Sequence, residues 1–292
     1  MASQETLLLL GFGDIAQRLS KLLMSNYQIT GVRRRSIDVD GLTMKQADCS
    51  SSKDMQALLS QKFDVIVLTM TPSEMSDSGY EKAYVDTVRT VLTTLDEQVY
   101  KPRLIIFVSS SSVYGQQQGE WVDEDSPTEP SSYSGKRLLE AESLLEQSNY
   151  VTCSVRFSGI YGPGRRRLIQ QVIDGHGAEK SPVLYSNRIH SDDCSAILAH
   201  LIEKQKTEPL QSVYLASDCE PSPLYDVKQW LAQQLGLPEG HLQPKPLGRT
   251  LRSSKRCRNQ QLLNSGYTFL YPTFKEGYRA VLDESTDEQA SL

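Results

Sequence analysis

Leu7-Leu8-Leu9-Leu10-Gly11-Phe12-Gly13-Asp14-Ile15-Ala16-Gln17-Arg18-Leu19 is the stretch whose reading decides the fold. Four consecutive leucines do not alternate with polar residues. The spacing predicts a strand covered on both faces, as in a parallel sheet, followed by a tight turn and a helix. Gly11 lets the backbone turn sharply. Gly13 lacks a Cβ, so an anionic group can approach the free N–H groups of the helix N-terminus. Ala16 stands where the third glycine of G-x-G-x-x-G usually stands and is small enough for the helix to pack on the strand. Taken alone, the motif also suits a turn that only packs. Its position, after a strand and before a helix, favours the phosphate reading.

The bulk of the chain limits what this turn can belong to. With 292 residues, 38% of them hydrophobic, it can bury a large core. A net charge of −5 argues against a nucleic-acid-binding protein. Cys49, Cys153, Cys194, Cys219 and Cys257 are scattered, odd in number and without a C-x-x-C pair, so neither a disulfide framework nor a zinc site is expected. The first residues carry no basic leader pattern, and no apolar run reaches a membrane span. The expectation is a cytoplasmic protein that does not engage membranes.

Outward from the first unit, the first half alternates strand and helix. Strands are expected at 28–33, 63–69, 103–109 and 150–157, and helices at 80–98 and 134–147. This rhythm predicts an α/β fold, a Rossmann-type doubly wound parallel sheet that binds ligands beyond the carboxyl ends of its strands. The rhythm loosens near residue 160. Val227, Trp230, Leu231 and Leu235 form the apolar stripe of a further helix, which Gly236 and Pro238 stop. The expected organisation is a dinucleotide-binding domain over 1–160, a small C-terminal substrate lobe over 161–283 interleaved with the last sheet elements, and a disordered polar tail over 284–292.

The second strand ends in Arg33-Arg34-Arg35-Ser36. An NAD-preferring site usually places Asp or Glu there to hold the ribose hydroxyls. Here guanidiniums stand instead, and Arg33 and Arg34 can hold a 2′-phosphate bidentately, which points to NADP over NAD. The competing reading is a solvated basic patch. Asp48, after the next short strand, is placed to accept from an adenine amino group. Gly11, Phe12, Gly13, Asp14, Ile15, Thr69 and Ser109 complete the candidate cofactor set.

Phe107-Val108-Ser109-Ser110-Ser111-Ser112-Val113-Tyr114-Gly115 ends the strand expected at the sheet centre, where small hydroxyl residues can donate to a substrate oxygen. With this segment the chain resembles an atypical or extended short-chain dehydrogenase/reductase, the superfamily of NAD(P)-dependent epimerases and dehydratases. Residues 155–164 resemble its R-x-x-x-x-Y-G-P-G segment, residues 188–193 its R-x-H-V-D-D segment, and residues 252–256, 271–272 and 276–278 its C-terminal lobe. The resemblance runs from about residue 7 to 282 in the family's order.

That resemblance implies hydride transfer at a carbonyl or carbinol carbon of a small substrate, nucleotide-linked sugars included. The expected assembly is a monomer or homodimer. It also implies a catalytic serine and a Tyr-x-x-x-Lys pair. Ser110 matches the serine. Tyr133 and Lys136 match the pair in type but lie three residues apart, not four. The shorter spacing swings the lysine by roughly 100° around the helix relative to the tyrosine. Alignment on Glu142 instead puts Ser134 and Leu138 at the two positions. Tyr133 as a general acid therefore requires a helix start that still turns it into the cleft. The rival class is a non-catalytic NADP-binding sensor or regulator that kept the fold and lost the pair.

Remaining candidates have plainer readings. His190, Asp192 and Asp193 suit a helix start, with Ser191 or Asp192 as the cap, better than a metal site. Arg165 and Arg188, with Arg166, Arg167 and the basic stretch 249–258, suit either an anion site for the substrate or a solvated surface. Trp121 is a candidate lid residue.

Overall fold

The structure, a computed structural model, describes residues 4–35, 37–244 and 254–290, the side chains of 285–290 excepted. The leucine run forms β1 (Glu5–Leu10), and Leu7 to Leu10 are completely buried. Each such side chain contributes roughly 1.5–3 kcal/mol through removal from water. Then follow α1 (Asp14–Leu23), β2 (Tyr27–Arg33), β3 (Thr43–Gln46), α2 (Ser52–Leu59) and β4 (Val65–Leu68). One long helix comes next, made of α3 (Asp77–Tyr80), a π-helical turn (Glu81–Asp86) and α4 (Thr87–Asp96). β5 (Leu104–Ser110), β6 (Glu120–Val122), α5 (Tyr133–Glu146) and β7 (Thr152–Phe157) continue the alternation.

The remaining elements are β8 (Gly159–Tyr161), α6 (Arg167–Ile173), β9 (Tyr185–Ser186), β10 (Arg188–His190), α7 (Ser191–Lys204) and β11 (Val213–Ala216). After them come β12 (Ser222–Pro223), α8 (Leu224–Gln234), β13 (Lys255–Cys257), α9 (Gln260–Asn264) and α10 (Phe274–Ala290). A disordered tail is expected over 284–292, but α10 carries the helix on to Ala290. Helix α7 begins at Ser191, so Ser191 and Asp192 lie in its first turn and do not precede it as caps.

The main sheet has seven strands in the order β11-β7-β5-β4-β1-β2-β3. β1 pairs in parallel with β2 and β4, β2 with β3, and β4 with β5. The chain winds outward from β1 in one direction and then from β4 in the other. This is the doubly wound parallel sheet that the sequence predicts, with its switch point between β1 and β4. Gly31 makes the β1–β2 pair possible beside the buried Phe12. A Cβ at Gly31 would lie 2.6 Å from the Phe12 ring.

The chain forms two compact units. One comprises the chain through Val113 with Thr128–Arg156 and Ser195–Tyr214; the other comprises Tyr114–Pro127, Phe157–Cys194 and the chain from Leu215. The split thus departs from a single boundary at 160. Residues 114–127 belong with the C-terminal unit, and most of α7 returns to the first. The second unit has its own core, in which Tyr161, Ile169, Val172, Leu231, Phe274 and Tyr278 pack together. Short strand pairs complete it, β8 with β10, β6 with β13 and β9 with β12.

Candidate dinucleotide groove and active-site residues

The turn after β1 is built by the sequence around one left-handed residue. Gly11 has φ +85°, and a Cβ there would lie 2.8 Å from the Thr69 carbonyl. The Phe12 N–H donates to Val32 O, and Thr69 Oγ1 donates to Gly11 O at 2.7 Å. Phe12 points its ring into the core, so only its backbone faces the turn. Gly13 caps α1 without a side-chain hydrogen bond, and among the described residues a Cβ there would meet Gly11 O at 3.8 Å, an ordinary van der Waals contact. The N-terminus of α1 is therefore a cradle that a side chain would fill, and it fits a pyrophosphate.

A groove of about 580 Å³ opens from this turn along the ends of β1, β2 and β4. Of the residues expected from sequence, it gathers Gly11, Phe12, Gly13, Arg33, Arg34, Asp48 and Thr69. Arg35 joins them, and among the described residues none of the three arginines makes an ion pair. Asp48 accepts from Ser50 N–H at 3.0 Å and Ser50 Oγ at 2.7 Å, and Lys82 Nζ lies 3.4 Å from its other oxygen. Burial pushes the Asp48 carboxyl up, but these Ser50 bonds and the Lys82 charge outweigh it and hold the group below its ordinary value.

Three expected residues stand apart from the groove. Asp14 accepts from Arg18 Nε at 2.8 Å, one turn along α1. Ile15 is buried and packs α1 onto the sheet. Ser109 is also buried, and its hydroxyl donates to Glu142 Oε1, which Arg156 holds from the next strand. Strand alternation explains the difference between neighbours: Ser109 faces the packed α5 side, while Ser110 is half-buried at the strand end. The groove also contains Lys82, which the sequence does not mark out. Helical period alone does not single it out, and the π-helical turn that carries it leaves no sequence signal.

Ser110 Oγ accepts from Ser112 N–H at 3.1 Å. Helix α5 starts at Tyr133, because Ser132 caps it by accepting from Gly135 N–H. The buried face of α5 carries Gly135, Leu138, Ala141, Glu142 and Leu145. Gly135 fits against Ser112, whose carbonyl a Cβ would meet at 2.4 Å. Tyr133 and Lys136 lie off this face and are exposed. Tyr133 Oη donates to Met75 O at 2.6 Å, and its ring meets the Tyr80 ring edge-on at 5.5 Å. No hydrogen bond joins Ser110, Tyr133 and Lys136.

In the second unit, Arg165 is exposed after the Gly162–Gly164 turn, whereas Arg188 is buried and donates to Ser186 Oγ at 2.7 Å. One guanidinium nitrogen of Arg188 is thus engaged by Ser186 of β9. Asp193 is buried as well, and its carboxylate accepts from Tyr267 Oη and from the N–H groups of Leu270 and Tyr271. Trp121 is half exposed between Arg256 and Arg258, whose guanidiniums lie 4.9 and 5.5 Å from its ring. Of the basic stretch 249–258, residues 249–253 lie outside the described residues, as does Ser36. No helix among the described residues is long and apolar enough to cross a membrane.

Comparison with known proteins agrees with this architecture. Residues 7–216 match the model of the NAD-dependent epimerase/dehydratase family. The chain belongs to that family. Among curated proteins, Protein YeeZ of Escherichia coli strain K12 is 31% identical over 169 residues. That match spans 54% of this chain and 59% of YeeZ, so the chain aligns with about three-fifths of the length of the relative. A solved structure from Methylobacillus flagellatus, assigned provisionally as an NAD-dependent epimerase/dehydratase, is 33% identical with a TM-score of 0.81, covering 97% of this chain and all of that one. A human epimerase family protein solved with NADPH shares the fold at 16% identity, with a TM-score of 0.77 over 96% of this chain and 99% of that one. This epimerase/dehydratase-family protein thus has an NAD(P)-dependent family background, and its groove residues fit a dinucleotide.

Proposed function

We propose that this family member binds NADP in preference to NAD and uses it for hydride transfer at a carbonyl or carbinol carbon of a small substrate. The observation that carries the nucleotide choice is the end of β2, where Arg33, Arg34 and Arg35 line the groove and the sequence has no Asp or Glu of the kind an NAD-preferring site usually places there. A carboxylate there would repel a 2′-phosphate; guanidiniums attract it. Gly11, the Phe12 backbone and Gly13 cradle the pyrophosphate, and Asp48 accepts from the adenine amino group. When bound, the nicotinamide supplies or accepts the hydride. Ser110 holds the substrate oxygen, and Tyr133 exchanges its proton after releasing Met75. Nucleotide-linked sugars are the substrate class this reading favours, in the cytoplasm and in a monomer or homodimer.

One observation favours a second reading, a non-catalytic NADP sensor. The Tyr133 hydroxyl is engaged by Met75, and Lys136 is exposed on another face with no hydrogen bond to it. Titration calorimetry of the full chain tests the shared part of both readings. NADPH binds more tightly than NADH, the gap narrows in high salt because part of it is charge pairing, and Arg33→Asp reverses the order. Equal affinities at low salt refute the nucleotide choice. Turnover in a screen of carbonyl compounds and nucleotide sugars separates enzyme from sensor.

A further inference from the structure

Lys82 is the fourth cation of the groove and, among the described residues, the only one of the four with an ion-pair partner. Its ammonium lies 3.4 Å from Asp48 Oδ2, while Asp48 Oδ1 is held by Ser50. Both partners are open to water, with side chains 61% and 41% exposed. An ion pair of that exposure is weak and is easily exchanged for a better partner. A phosphate with several oxygens and up to two charges is such a partner.

The backbone gives Lys82 its place. It belongs to the π-helical turn Glu81–Asp86, where the Thr87 hydroxyl donates to the Lys82 carbonyl, five residues back. Gly79, Lys82, Ala83 and Thr87 all line the groove. On the opposite side of the turn, Tyr84 is buried edge-on against Phe107 of β5 at 6.0 Å, which anchors it to the sheet. Such turns are a recognised way of re-aiming one residue at a functional site.

We propose that Lys82 is a specificity residue for the 2′-phosphorylated adenylate, held on Asp48 in the free protein and transferred to the 2′-phosphate on binding. The exchange frees the Asp48 oxygen to accept from the adenine amino group, so one movement completes two contacts. Lys82 then acts with Arg33 and Arg34 from the facing wall, closing the phosphate between β2 and the π-helical turn. This rests on the NADP reading above and deepens it.

The test is calorimetric binding to the full chain, without any need for turnover. The probes are NADPH and NADH, with adenosine 2′,5′-bisphosphate and 5′-AMP isolating the adenylate end. Lys82→Gln weakens NADPH and the bisphosphate about tenfold or more, leaves NADH and 5′-AMP within about twofold, and flattens the salt dependence for NADPH. Lys82→Arg restores most of the loss. Equal weakening of all four probes makes Lys82 a structural residue and overturns the proposal. So does a wild-type ratio retained in Lys82→Gln. If the wild-type protein itself does not distinguish NADPH from NADH, the NADP reading fails and this inference falls with it. A preference present in wild type but untouched by Lys82→Gln refutes the Lys82 role alone.

Discussion

The Tyr133 hydroxyl donates to the Met75 carbonyl at 2.6 Å, tying the first residue of α5 to the loop that follows β4. The same hydroxyl cannot serve a substrate while that bond is made. Breaking it costs little, since Tyr133 is 40% exposed and water can satisfy both groups. A net value of about 0.5–1.5 kcal/mol is typical of such a hydrogen bond. The tether therefore positions the ring without forbidding its use.

The catalytic reading makes a definite demand on this residue. Tyr133→Phe keeps the ring against Tyr80 and removes the proton. With a substrate in hand, its kcat falls by about 10²–10⁴, the usual contribution of a general acid. Ser110→Ala lowers kcat/KM as well, through loss of the bond to the substrate oxygen. Steady-state kinetics checks both. Unchanged turnover in Tyr133→Phe removes it from the chemistry, and tight NADPH binding with no turnover on any substrate of the panel supports the sensor.

The two glycines of the first turn separate binding from folding. Gly13 has extended backbone angles, φ −97° and ψ −162°, that any residue adopts. Its Cβ direction is open except for Gly11 O at 3.8 Å. Gly13→Val is expected to fold normally and to lose dinucleotide binding, because the side chain takes the pyrophosphate space. Gly11→Ala is expected to lower stability instead, because φ +85° is costly for an L side chain and the new Cβ meets Thr69 O at 2.8 Å. Thermal melts and calorimetry on both variants check the contrast. Normal NADPH affinity in Gly13→Val would refute the phosphate reading of the turn.

Much of this fold is legible in the sequence because its signals are local. Four leucines in a row announce a buried strand, Gly11 its turn, and the three arginines the charge at the end of β2. The chemistry of α5 is less legible. The direction of Tyr133 depends on Ser132 capping the helix and on Met75, 58 residues earlier, accepting its hydroxyl. Ser109 and Ser110 look interchangeable in a run of four serines, yet strand alternation and distant Glu142 separate them. That Arg188 is buried while Arg165 is exposed is not visible in the residues beside either of them. The two-unit split at 114–127 also follows from non-local pairing, since β6 finds its partner in β13.

The segment below Ser110 yields the sharpest stability prediction. Glu142 and Arg156 form an ion pair 2.7 Å long, with both side chains 6% exposed, and Ser109 donates to the same carboxylate. The three residues come from α5, β7 and β5, so the pair fixes the register of the helix against the sheet. Removing one partner leaves the other charged and buried, which costs about 3–5 kcal/mol, more than the pair itself contributes over an apolar replacement. Arg156→Met is therefore expected to lower the unfolding free energy by about that amount in urea titrations. Ser109→Ala, which removes one bond to a charged group, is expected to cost about 1.5–3 kcal/mol. The Arg156→Met, Glu142→Leu double variant removes both charges and is expected to recover most of the first loss. A double variant as unstable as Arg156→Met would show that packing volume, not the uncompensated carboxylate, sets the cost at this position.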